Sequence, residues 1–101
     1  MMGDMIRTKQ DILDTLKRSK EALLRKYPIR RLALFGSWAR GEQTTQSDVD
    51  ILVDVDPAIG LGFVSLADEL ERLLGHKVDL VSQRAIRESL WNEIEADLID
   101  A

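Results

Sequence analysis

Residues 35–55 read FGSWARGEQTTQSDVDILVDV. From Asp48 to Val55 every second residue (Val49, Ile51, Val53, Val55) is apolar and the positions between are acids except Leu52, the period-two pattern of a strand with one buried face. Val49, Ile51, Val53 and Val55 point one way; Asp48 and Asp50 point the other, roughly 6–7 Å apart along the strand. Two carboxylates that close repel when both are ionised, so a cation is expected between them. Oxygen ligands on a rigid element suit Mg²⁺, which one or two carboxylates hold and substrate phosphates complete.

The other half of the stretch supplies a place for phosphates. The apolar run Leu32, Ala33, Leu34, Phe35 reads as a buried strand ending in Gly36, and residues 37–40 as a short helix stopped by Gly41. A strand, a glycine and a helix start leave N–H groups free to face an anion, and glycine removes the Cβ that would keep a phosphate off the backbone. Ser37 is expected to cap that helix and to bind phosphate with the same geometry. A triphosphate held by the turn would present its reacting phosphorus to a metal held by Asp48 and Asp50, an arrangement for phosphoryl transfer.

GSWARG followed by SDVDILV resembles the nucleotidyltransferase superfamily of DNA polymerase β, whose hallmark is G-S, a spacer and D-x-D. The GSxARG form and the short chain are similar to the minimal nucleotidyltransferases, the antitoxin members of HEPN/MNT toxin–antitoxin modules. The likeness covers about residues 31–81; G-S alone or D-x-D alone would be weak, but the joint pattern is specific. It implies an α/β (α+β) domain with a small mixed sheet of three or four strands and flanking helices. It also implies a third catalytic acid at Asp79, which alternates with Val78 and Leu80 and so faces away from the apolar side. On this likeness Asp48, Asp50 and Asp79 hold two Mg²⁺ ions, while Gly36, Ser37, Arg40 and Ser47 bind the nucleotide. AMP then passes from ATP to a tyrosine of a HEPN ribonuclease toxin. Trp38, at the variable position of GSxARG, is the aromatic usual there.

The chain has 101 residues, no cysteine and a net charge of −4. One domain over residues 1–101 is expected, without disulfides or thiolate metal sites. No apolar run reaches membrane-spanning length, which points to the cytoplasm. Acids outnumber bases, against a template-using polymerase that grips nucleic acid; a basic protein partner fits better. The chain also looks too short for a substrate domain of its own, so the acceptor is expected on another protein.

In chain order, Thr8 and Asp11 read as an N-cap with an acidic first turn, opening an amphipathic helix through Tyr27 that Pro28 ends. The 31–35 run follows, its continuous apolar character placing it centrally in the sheet. Residues 41–47 are a polar loop. Phe63, Leu66, Ala67, Leu70, Leu73 and Leu74 form a helical stripe closed by Gly75; residues 77–81 make a third strand. Ser82 is expected to cap a last helix buried along Ile86, Leu90, Ile94 and Leu98.

Plainer readings stand beside these. Alternating acids also occur on solvated strand faces, and Asp54 and Asp56 are read that way. Arg40 fits two roles equally, a phosphate ligand or a brace for the loop through an acid. Glu69 and Glu71 read as surface charges, His76 as structural, Trp38 and Trp91 as packing residues, with a partner interface open to Trp91. Two rival functions remain: neutralising a toxin by binding alone, and modifying a small molecule in the manner of an aminoglycoside adenylyltransferase.

Overall fold

A computed structural model describes residues 6–101. Helix α1 (Lys9–Lys26) opens on a full capping box: the Asp11 N–H donates to the Thr8 hydroxyl and the Thr8 N–H to the Asp11 carboxylate. It stops at Tyr27, ahead of Pro28, and buries Ile12, Leu13, Leu16 and Leu23. Then come β1 (Ile29–Phe35), the short α2 (Gly36–Arg40), β2 (Val49–Val55), α3 (Gly62–Leu74), β3 (Val78–Ser82), α4 (Glu88–Asp97) and β4 (Ile99–Asp100). Single 3₁₀ turns sit at Pro57–Ile59 and Gln83–Ala85.

The strands form one sheet in the order β3-β2-β1-β4, with β2 and β3 parallel and the other pairs antiparallel. The sheet is mixed, as the family likeness implied, and β1 lies inside it, as its unbroken apolar run required. Alternation splits the sheet into two faces. Leu32 and Leu34 of β1 and Val49, Ile51, Val53 and Val55 of β2 join the α1 and α3 stripes in the main core. Ala33 pairs with Leu52 on the other face, both fully buried, and Phe35, Asp50 and Asp79 belong to that second face. Gly75 caps α3 with φ of 67°, the left-handed turn that glycine reaches without strain. Among the described residues, no helix is long and apolar enough to cross a membrane.

Two expectations are corrected. Ser82 ends β3 and leads into a 3₁₀ turn without a side-chain cap bond, so the last helix begins only at Glu88 behind Arg87. No residue of α4 is fully buried, Leu90 is 50% exposed, and Ile86 and Leu98 lie outside the helix. The stripe is not a core stripe because α4 lies over the second face, beside a cavity. Nor are Glu69 and Glu71 plain surface charges. Glu69 accepts from the Tyr27 hydroxyl at 3.0 Å and pairs with Lys26 at 3.1 Å. Glu71 accepts the Val78 N–H at 3.0 Å, at the start of β3.

Glu71→Ala would leave that part-buried N–H without its acceptor, a loss of about 1–2 kcal/mol. The expected result is a melting temperature several degrees lower, with Glu71→Gln, which keeps an acceptor oxygen, close to wild type.

Candidate active site

The end of β1 and the starts of β2 and β3 meet on the second face. Phe35 pairs with Asp50 across the antiparallel ladder, and Asp50 pairs with Asp79 across the parallel one. This register sets the turn after β1 against the two acids. Gly36 has φ of 76°, and a Cβ added there would lie 2.0 Å from Asp50 Oδ2 and 2.9 Å from its Cγ. Glycine is therefore required twice: for the left-handed backbone, and because the Asp50 carboxylate occupies the place of a side chain. The expected clearance for a phosphate is, at this point, clearance for Asp50.

A cavity of about 330 Å³ opens here, lined by Phe35, Gly36, Ser37, Arg40 and Asp50 on one side and by Glu93, Ile94 and Asp97 of α4 on the other. Half-withdrawn from water beside Asp79 and Asp48, Asp50 has its pKa pushed up to about 6; burial contributes most, then the Asp79 and Asp48 charges, with Arg40 opposing. Asp48 and Asp79 are exposed. Among the described residues no three Asp, Glu, His or Cys side chains stand together as a ready-made metal site, so the three acids are not preassembled into one ligand set. Two carboxylate ligands with phosphate oxygens added are what Mg²⁺ ordinarily takes, and the donor set fits that need.

The other expected residues divide. Ser37 lines the cavity but is not a cap: Phe35 holds the cap position of α2, without a side-chain cap bond, and Ser37 is already helical. Arg40 lines the cavity and also braces it, Nε donating to Glu42 Oε1 at 2.9 Å and Nη1 to Asp97 Oδ2 at 2.6 Å. Ser47 is not among the lining residues; its hydroxyl accepts the Thr44 N–H at 2.9 Å and its carbonyl accepts from Trp38 Nε1 at 3.4 Å, tying the loop to α2. Trp38 is buried, edge-on to His76, whose Nε2 bonds the Ile6 carbonyl. Asp54 pairs with Arg84, and Asp56 caps the 3₁₀ turn that follows β2. Glu93 and Asp97 escaped the sequence reading, and Ile94 was read only as a core residue, since only the packing of α4 brings them to the motif.

The nucleotidyltransferase domain profile matches residues 16–101. The chain belongs to that family. Within it, this nucleotidyltransferase is of the minimal, MntA-like kind. The protein adenylyltransferase MntA of Thermococcus cleftensis is 35% identical over 94 residues, covering 91% of this chain and 94% of MntA. MJ0128 of Methanocaldococcus jannaschii, provisionally named a protein adenylyltransferase, is 45% identical over 96 residues, covering 93% of this chain and 98% of its own length. A chain in the crystal structure of a toxin–antitoxin with AMP-PNP is 29% identical with a TM-score of 0.68, covering 83% of this chain and 70% of its own.

Proposed function

We propose that this nucleotidyltransferase is a Mg²⁺-dependent antitoxin that moves AMP from ATP onto a tyrosine hydroxyl of a HEPN ribonuclease toxin in the cytoplasm. The observation that carries the chemistry is the packing of the Asp50 carboxylate into the space beside Gly36, with Asp79 next to it in register. The phosphate turn and Asp50 thus line one cavity, with Asp79 paired to Asp50 on the neighbouring strand. The protein adenylyltransferase names of the relatives and the AMP-PNP of the toxin–antitoxin structure support the nucleotide and the partner class. Tyrosine and HEPN rest on the family likeness.

In this reading Gly36 and Ser37 seat the β- and γ-phosphates, and Arg40 meets their charge from the far end of α2. Ser47 serves by holding the loop. Asp48, Asp50 and Asp79 are the residues that would hold Mg²⁺, two ions in the complete set, and the metal when bound supplies charge neutralisation on the phosphates. The acceptor oxygen bonds to the α-phosphorus, the bond from that phosphorus to pyrophosphate breaks, and the hydroxyl proton passes to a carboxylate of the Asp50–Asp79 pair. Positioning and charge stabilisation carry most of the rate.

The test is incubation of the protein with α-labelled ATP, Mg²⁺ and the product of the neighbouring reading frame. Label on a tyrosine of that partner, with pyrophosphate released and the partner's ribonuclease activity lost, is the expected result. A partner silenced without any label would replace catalysis with neutralisation by binding.

A further inference from the structure

We propose that Asp97 is a positioning residue for nucleotide binding, holding the Arg40 guanidinium in the cavity beside the Gly36–Ser37 turn. The proposal rests on the reading of that cavity as the nucleotide site. Arg40 is the one cation among the lining residues, which also carry the carboxylates of Asp50, Glu93 and Asp97. Where that single cation stands decides how a triphosphate is received.

Two carboxylates hold Arg40, and they are not equivalent. Glu42 lies two residues further on, just past the end of α2, with its side chain 67% exposed. Asp97 reaches across from α4, with its side chain 22% exposed, at the shorter distance of 2.6 Å. It is also fixed from behind. Two residues further on, β4 joins β1 through the Leu34–Ile99 and Ala33–Asp100 pairs. Arg31 grips Asp100 with two bonds of 2.8 and 3.2 Å, and Lys20 Nζ donates to the Ala101 carbonyl at 2.9 Å. The strand that carries the phosphate turn thus also anchors Asp97. The guanidinium is set relative to that turn from both ends of α2. Of its five N–H donors, the two bonds engage one on Nε and one on Nη1, and the other three stay available to an anion.

The opposite role, Asp97 as a rival anion withholding Arg40 from phosphate, has the opposite sign in a binding experiment. The probe is Mg²⁺ with AMP-PNP, titrated calorimetrically into the full chain, so no acceptor is needed. Asp97→Asn, which keeps the shape and loses the charge, is expected to weaken binding about tenfold, the scale of one displaced charge-assisted contact. Asp97→Glu is expected to restore most of the affinity. In an Arg40→Ala background, Asp97→Asn should add no further loss, because the two act through one group.

Unchanged or tighter binding by Asp97→Asn overturns the proposal while leaving the nucleotide site in place. So does an undiminished loss in the Arg40→Ala background, which would mean that α4 acts by another route. So does a lowered melting temperature with affinity intact, since Asp97 would then only hold the fold. A wild-type chain that binds no AMP-PNP at all removes the nucleotide reading itself, and this proposal with it.

Discussion

Asp50→Asn is expected to abolish nucleotidyl transfer, by about 10³-fold or more, and at the same time to make the apo protein harder to melt near neutral pH. The two effects share a cause. Asp50 is charged where burial and the neighbouring carboxylates of Asp79 and Asp48 disfavour charge, which is why its pKa rises to about 6. A carboxyl with a raised pKa binds its proton more tightly in the folded chain than in the unfolded one. Folding is therefore favoured in acid, and that advantage fades as the pH climbs from the ordinary carboxyl range near 4 through about 6. Above that window the ionised carboxylate weakens the fold by about 1–2 kcal/mol, after allowance for solvent screening of a partly exposed group. Asparagine removes the charge and keeps the shape. Melting wild type and variant in a chelator should show the variant several degrees more stable near pH 8 and no difference near pH 4. A gap that stayed constant across that range would remove charge repulsion as its cause. Full activity in the variant would remove Asp50 from the chemistry.

Gly36→Ala is expected to be the second most damaging change, and Gly41 supplies the control. Both glycines hold left-handed backbone, at φ of 76° and 73°. Around Gly41 nothing lies within 4 Å of an added Cβ, so Gly41→Ala meets only backbone strain, about 1 kcal/mol, and should keep its activity. At Gly36 the same methyl would lie 2.0 Å from Asp50 Oδ2, and the carboxylate would have to swing out of its place between the turn and Asp79. The expected cost is about 2–4 kcal/mol in stability, with transfer lost to the same degree as in Asp50→Asn. A thermodynamic cycle separates the causes. In an Asp50→Ala background the clash with the carboxylate is gone and only the 3.1 Å approach to Cβ remains, so Gly36→Ala should cost far less than in the wild type, within about 1 kcal/mol of Gly41→Ala. If the cost there is undiminished, the contact with Asp50 is not what demands glycine.

Much of this site was legible because its parts are local. The capping box of Thr8 and Asp11, the alternation of β2 and the glycine closing α3 each declare themselves within a few residues. That Asp79 accompanies Asp50 was implied by the family likeness, and its alternation with Val78 and Leu80 gave its face; that the two stand in register came only with the parallel pairing of β2 and β3. What stayed hidden depends on partners far along the chain. Glu69 and Glu71 occupy the polar side of an amphipathic helix, and only the fold delivers Tyr27 and Val78 to them. β4 pairs through two residues, too few to form a pattern. The apolar spacing of the last helix was real but misleading, because period says nothing about which surface a helix covers. Here α4 covers the site. Its acids beside Arg40 could not be seen until it was placed.

The central claim is that the Gly36–Ser37 turn and the Asp48, Asp50 and Asp79 carboxylates form one nucleotide site. An amide NMR titration of the full chain with Mg²⁺ and AMP-PNP tests it most directly. Shifts gathered at residues 36–40, 48–50, 79 and 93–97 are the expected result, lost in Asp48→Ala/Asp50→Ala. Shifts centred instead on the second cavity, of about 250 Å³ around Trp38, Gln43 and His76, would contradict it, as would a spectrum the nucleotide leaves unmoved.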